Sequence, residues 1–484
     1  MNTDRIYVPD LTVSEQDSLD ALWAQLLAKR PRNIERAARY DGKNAVADLG
    51  ISTPPSMRKL AIVLGWPAKA VDILNRRCNL DGFDVAGVDA ESLGLFDVGL
   101  GDIERDNNLN LEASQAGVSS LIHATSFLIT TQGDEDAGEP PALITAKDAL
   151  SGTGTWNARV RRLDRFLSVI ETDDKGVPTH FVLYFPGLTV TCIKSGIRWS
   201  VERMEHPFGM PVEALPYQPR LGRPFGSSRI SRAVMSIHDS ALRTVLRSEV
   251  SAEFYSAPQR VLLGSDESAF KNADGSIKTA WQAILGRVWA VPDDNGGDVP
   301  RADIKEFTQA SQQPHVDQLR AWAQLYSGET SIPLSSLGIS GDANPTSSDA
   351  YEAGRDDLIR EAEGVIDGWD PAWRRTALRA LQIANGWDVI PLEVERGLTA
   401  KWRNPAYGSR AAAVDAAVKT IGIFPWLAQS ELGLELFGFP ESYMERARKE
   451  LRRQRSSGVL ETLRAAAAQN VTEVPGGDDT SAGG

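Results

Sequence analysis

Residues 216–264 read PYQPRLGRPFGSSRISRAVMSIHDSALRTVLRSEVSAEFYSAPQRVLLG, and the pattern changes twice within them. The opening closes a Pro- and Gly-rich stretch, 207–226, which reads as a connector because Pro lacks a backbone donor and Gly takes turn conformations other residues avoid. From Ser227 the apolar residues Ile230, Val234, Ile237, Ala241 and Val245 recur every three or four positions, the period of one helix face. A helix of roughly 28 residues, from there to Ser256, spans about 40 Å. Past Ala257-Pro258 the run Arg260–Leu263 has the composition of a short strand. The helix thus delivers the chain into a small inserted unit, 257–311, which continues with a helix near Ile277–Leu285, a strand at Arg287–Val291 and the turn-rich PDDNGGDVP.

Upstream, Leu19, Leu22, Trp23, Leu26 and Leu27 give residues 13–40 a helical period, closed by the turn Tyr40-Asp41-Gly42. The apolar run Leu60–Leu74 precedes a short strand at Gly82–Val85, and Leu109, Leu111, Ala116, Val118, Leu121 and Ile122 predict an amphipathic helix over 107–125. From Phe127 short apolar runs alternate with turn clusters, FLIT, GDEDAGEPP, ALIT, ARVRRLDRFLSVIE, TDDKGVPT, HFVLYF and TVTCIKSGIRWSVE, the signature of an antiparallel meander. Downstream, a helix over Pro314–Tyr326 leads to a polar loop holding Gly338, Ser340, Gly341, Asp342, Ala343, Asn344 and Pro345. A further helix runs to about Asn385 and should kink or divide at Pro371. A strand at Leu392–Trp402 and helices over Arg410–Thr420, Ser430–Phe437 and Pro440–Ala468 follow, then a polar, Gly-rich tail from Val471. The fold class is α+β.

With 484 residues and 42% apolar content, the chain can bury several cores, and a disordered or fibrous class is excluded. A formal charge of −13 argues against tight binding of DNA or membrane by the whole surface. Cys78 and Cys192 stand alone without metal-ligand spacing, and the 5 histidines are scattered, so a disulfide framework and a metal site are not expected, nor is any cofactor. A reducing compartment suits this usage. Pro67, Lys69 and Asp72 interrupt the most apolar stretch, and neither a secretory signal nor a membrane span is read.

The order of these segments resembles the portal proteins of tailed bacteriophages, those of actinobacteriophages and other long-tailed phages, over most of residues 10–455. The resemblance is carried by residues 216–264, where an Arg- and Gly-rich turn leads into a long helix with His238-Asp239 and an Ala257-Pro258-Gln259-Arg260 exit. It is extended by GISGDANPTSSDAYEAGRDDLIREAEGVIDGW at 338–369, the YDG turn, and KWRNPAYGSRAAAVDA in the C-terminal region. The family implies a multi-region portal fold: a wing over 1–226 and 347–405, stem helices at 227–257 and within 312–338, a clip at 258–311, a tunnel loop at 339–346, a crown at 406–468 and a tail at 469–484. It also implies a dodecameric ring in the virion at one capsid vertex, assembled in the host bacterial cytoplasm, through which double-stranded DNA is packaged and ejected. Partners implied are the terminase large subunit, a head-tail adaptor protein, and the major capsid and scaffolding proteins.

Three groups of residues become candidate sites. The loop residues Gly338, Ser340, Gly341, Asp342, Ala343, Asn344 and Pro345 form a small tip without Lys or Arg, able to press on a DNA backbone without holding it. As an ordinary helix–helix loop they need no role. Arg446, Arg448, Lys449, Arg452, Arg453 and Arg455 lie on an expected helix beside Glu441, Glu445 and Glu450. They form either a solvated face or a positive crown rim toward packaged DNA. The stripe Ile230, Val234, Ile237, Ala241 and Val245 must be covered, by its own subunit or by a neighbour in a ring. Arg232, Arg243 and Glu249 are its polar counterparts.

Nucleotide-loop, zinc-protease, nucleophile-elbow and dinucleotide motifs are missing from the sequence. The pairs Asp356-Asp357 and Asp173-Asp174 raise a metal-dependent hydrolase as an alternative, but adjacent helical residues point about 100° apart. Another virion structural or adaptor protein is the remaining alternative. An acidic or neutral lining also suits a channel in which DNA must slide, because neutralised phosphates would brake it.

Overall fold

The computed structural model describes residues 5–43, 62–85, 99–255, 260–263, 303–306, 311–339, 355–406 and 410–429, with isolated positions beyond. It divides into two compact units, Met1–Arg403 and Asn404–Gly484.

Helix α1, Val13–Tyr40, starts in a capping box, where the Thr12 hydroxyl accepts from the Glu15 N–H and the Glu15 carboxylate accepts from the Thr12 N–H. Its stripe Leu19, Leu22, Trp23 and Leu26 is buried against a five-stranded antiparallel meander. The strands are β4 Gly152–Asn157, β5 Arg162–Thr172, β6 Pro178–Phe185, β7 Leu188–Ser195 and β8 Arg198–Glu205, paired in that order. Alternation along these strands builds two cores at once. Leu167, Phe181 and Leu183 face α1, whereas Phe166, Val182 and Tyr184 face a second sheet.

That second sheet pairs β2, Thr125–Gln132, with β3, Ala142–Lys147, on one side and β9, Val212–Pro216, on the other. Phe127 and Ile129 point into the space between the sheets, and Leu128 points the other way. Leu128 enters the main core, where helices cover the sheet: α2 Trp66–Asn75, α3 Leu100–Asp106, α4 Leu109–His123 and α7 Asp356–Ala384. Trp369 and Trp373 of α7 are its largest buried side chains. The edge of this unit is tied by β1, Leu80–Val85, antiparallel to β12, Leu398–Trp402.

Helices α5, Arg232–Tyr255, and α6, Gln313–Thr330, pack side by side. Ala241 and Ala323, both fully buried, belong to their shared core with Val234, Trp66 and Tyr326, and the Trp322 indole donates to the Thr244 hydroxyl at 3.1 Å. The chain between the two helices returns through β10, Arg260–Leu263, antiparallel to β11, Asp303–Glu306. In the second unit, α9, Arg410–Ile423, precedes a 3₁₀ turn at Pro425–Gln429, and Ala417 and Leu427 are buried.

Several sequence expectations need correction. The long helix begins at Arg232 instead of Ser227, because Ser228 and Arg229 bond the carbonyls that end α4 and Ser231 serves as N-cap to Val234. Within the supposed connector, Val212–Pro216 is a strand. Leu392–Gly397 is a helical turn, α8, so the strand there starts only at Leu398. Leu111 is exposed on α4. Pro371 does not divide α7, which runs through it as one helix. The expected helix at Ile277–Leu285 and strand at Arg287–Val291 lie outside the described residues.

Candidate functional site

One of the places where the α5–α6 pair joins the rest of its unit is Arg229, in the segment between the Gly-rich turn and α5. Gly226 has φ +72°, and a Cβ there would meet the Tyr217 carbonyl oxygen at 2.1 Å, so only glycine suits this approach. The turn sends the chain back along β9, with the Ser227 N–H donating to Tyr217 at 2.8 Å. Arg229 then enters the interior, 5% exposed.

Its guanidinium satisfies groups from several elements. Nε donates to the Ala70 carbonyl of α2 at 2.5 Å, Nη1 to the Tyr217 hydroxyl at 3.1 Å and to the Glu361 carboxylate of α7, and Nη2 to the Thr330 carbonyl at 2.6 Å. Thr330 is the last residue of α6, and Ser331 follows in the left-handed conformation. The arginine therefore supplies a donor and a positive charge to a helix C-terminus, where carbonyls lack partners. Tyr217 donates to Glu361 as well, and burial pushes its phenol above the ordinary range. A second charge tie holds α7 to β9: Glu213, 3% exposed, accepts from Arg375 at 2.8 Å and Arg379 at 3.0 Å. Such an arrangement fixes the root of a helical hairpin in a layered body. It presents no nucleophile with a base.

The residues singled out from the sequence fall as follows. Val234, Ile237 and Ala241 come together against Trp66, Ala323 and Tyr326 of the same chain, while Ile230 belongs to the main core and Val245 is half-buried. Arg232 and Glu249 are exposed, and Arg243 donates to Ser240 at 3.0 Å. Gly338 ends a 3₁₀ turn, Leu334–Leu337, with φ +79°, whereas Ser340, Gly341, Asp342, Ala343, Asn344 and Pro345 lie outside the described residues. Arg446 and Arg453 are exposed, and Arg448, Lys449, Arg452 and Arg455 lie outside them too.

Asp356 and Asp357 are exposed in the first turn of α7, with Asp356 paired to Arg360 at 3.0 Å. Asp173 caps the β5–β6 turn by accepting from Lys175 and Val177. Among the described residues no group of His, Cys, Asp or Glu is placed to hold a metal ion, and no helix is long and apolar enough to cross a membrane. Burial pushes the Cys78 and Cys192 thiols up to about 12. His238 is buried beside the Leu64 carbonyl, 2.8 Å away, and Asp239 pairs with Arg39 at 2.7 Å. Arg229, Glu361 and Tyr217 were not singled out by sequence reasoning. The one local signal was the polar triplet Ser227-Ser228-Arg229 set where an apolar period begins.

No protein-family profile matches the chain. It is 26% identical over 431 residues to a portal protein of Mycobacterium phage L5, covering 86% of this chain and 83% of that protein. A portal protein of Mycobacterium phage D29 is 26% identical over 392 residues, with 79% and 77% covered. Among solved structures, chains from the virion and the neck of a native gene transfer agent particle align with TM-scores of 0.40 and 0.41, at 15% and 14% identity. These alignments cover 84% and 85% of this chain, and 93% and 97% of those chains. By the sequence it shares with the two mycobacteriophage proteins over most of its length, the chain is a relative of the portal proteins of bacteriophages.

Proposed function

We propose that the chain is the subunit of a portal ring, through which double-stranded DNA enters the capsid during packaging and leaves it on ejection. The observation that carries this reading is the likeness to two portal proteins across about four fifths of the chain. The rooted helical pair agrees with it. In a ring, α5 and α6 would form the stem, and Arg229 would hold it rigidly to the wing, 1–226 and 347–405. Residues 258–311 would be the clip that meets the terminase large subunit and later the head-tail adaptor. Residues 339–346 would touch DNA, and 406–468 would form the crown, with Arg446, Arg448, Lys449, Arg452, Arg453 and Arg455 on it.

The role is structural, within the virion, and alongside capsid and scaffolding proteins during assembly. No cofactor enters this account. Electron micrographs of the purified chain test the reading: rings with a central hole are expected without nucleotide or metal, and separate globular particles would contradict it.

A further inference from the structure

A cleft of about 280 Å³ opens between the second half of α1, the start of β2 and the turn Gly222–Ser227. Lys29, Arg32, Arg36 and Arg223 line it, and none of the four is ion-paired with a carboxylate among the described residues. Lys29 Nζ lies 5.1 Å from the Phe225 ring centroid, and Arg36 reaches the His123 carbonyl at 3.5 Å. The lining side chain of His123, 6% exposed, carries an unpartnered ring nitrogen at Nδ1, while Asn33, 2% exposed, donates through Nδ2 to the Ala149 carbonyl at 3.0 Å. Arg36 Nε is buried and unpartnered too. Burial, together with like-charged Arg32 and Arg223, pulls the Arg36 guanidinium down to about 10. Asp148, the carboxylate that acts on His123, is itself engaged by the Ser151 hydroxyl and N–H. Lys29 and Arg36 are half-buried while Arg32 and Arg223 stand exposed at the rim, so the like charges repel and the two inner cations are partly desolvated until an anion joins them.

The other end of the same hairpin carries the opposite charge. The turn joining β2 to β3 holds Asp134, Glu135, Asp136 and Glu139, all exposed. Asp134 and Glu139 are used to shape the turn, whereas Glu135 and Asp136 make no side-chain bond among the described residues. Strand β2 starts at the cleft and ends at this turn, so the two lie about 25 Å apart and cannot pair within one subunit. A rotationally repeated, head-to-tail contact brings unlike patches of neighbouring copies together. Leu221, 91% exposed on the same turn as Arg223, offers apolar area at the cleft rim.

We infer that the cleft receives Glu135 and Asp136 from the acidic turn of a second copy of this chain, so that each ring contact is closed by charge. The inference rests on the ring reading above.

Its test is a charge exchange on the full chain, using exposed residues on both sides. Arg32→Glu with Arg223→Glu, and separately Glu135→Lys with Asp136→Lys, should each lower the ring fraction at fixed concentration, by on the order of tenfold in dissociation constant. All four substitutions together should restore it. Rings unaffected by either reversal would overturn the pairing alone, as would losses that simply add in the combined variant. So would a cation reversal that spares rings while weakening binding of a short DNA duplex. Absence of rings from the wild-type chain would remove the ring reading itself, and the pairing with it.

Discussion

Arg229 Nη2 lies 2.6 Å from the carbonyl oxygen of Thr330, so the residue that precedes α5 also closes the end of α6. The approach to α5 and the end of α6 are thereby tied together, and Glu361 supplies the countercharge from α7. Removing one partner of a buried pair leaves the other charged and desolvated, which costs about 3–5 kcal/mol. Arg229→Met is expected to lower stability by that amount in denaturant unfolding. With Glu361→Gln added, the loss should be less than the sum of the single effects, because the two changes remove one interaction.

The Gly226 turn admits no side chain. Gly226→Ala is expected to destabilise by at least about 2 kcal/mol, from the positive φ and from the 2.1 Å approach to the Tyr217 oxygen. Gly138→Ala provides the comparison: its φ of +83° is as unusual, but open space surrounds it, so a smaller loss in thermal midpoint is expected.

Ala241 and Ala323 are both fully buried in the core shared by α5 and α6. Ala323→Leu overfills that core and should cost about 1–3 kcal/mol by thermal unfolding. Ala→Leu at an exposed position of the same helix, Ala321, should change stability by less than about 0.5 kcal/mol.

His123 sets an acid limit. Burial, opposed by Asp148 and aided by Arg36, lowers its pKa from 6.5 to about 4. Between those values the unfolded chain binds a proton that the folded chain refuses, so stability falls as pH drops from 6.5 toward 4. At about 1.4 kcal/mol per unit the loss is of the order of 3 kcal/mol. His123→Gln should flatten the stability profile in that window, as read by unfolding at successive pH values.

The parts of the fold that the sequence made legible are those where one face is buried and the period is clean. The stripe of α1, the core side of α5, and the alternation along β5 and β6 belong here, because each packs a regular element on a single neighbour or between two layers. Strand β4 escaped notice because Gly152 and Gly154 occupy it, and glycine normally weakens a strand. Here a Cβ at Gly152 would meet the Phe166 ring at 2.7 Å, so the absent side chain is what lets the ring lie under the strand.

Strand β9 was hidden by the prolines around it. The junction was illegible for a different reason. The partners of Arg229 come from residues 70, 217, 330 and 361, and no local spacing records contacts formed across such separations.

Assembly of the chain into a ring is tested most directly by its molar mass in solution. Light scattering at micromolar concentration, without nucleotide, metal or partner, should give one species at a large fixed multiple of the 52.6 kDa subunit, a dodecamer by the family resemblance. A stable monomer of 52.6 kDa under those conditions would contradict the account.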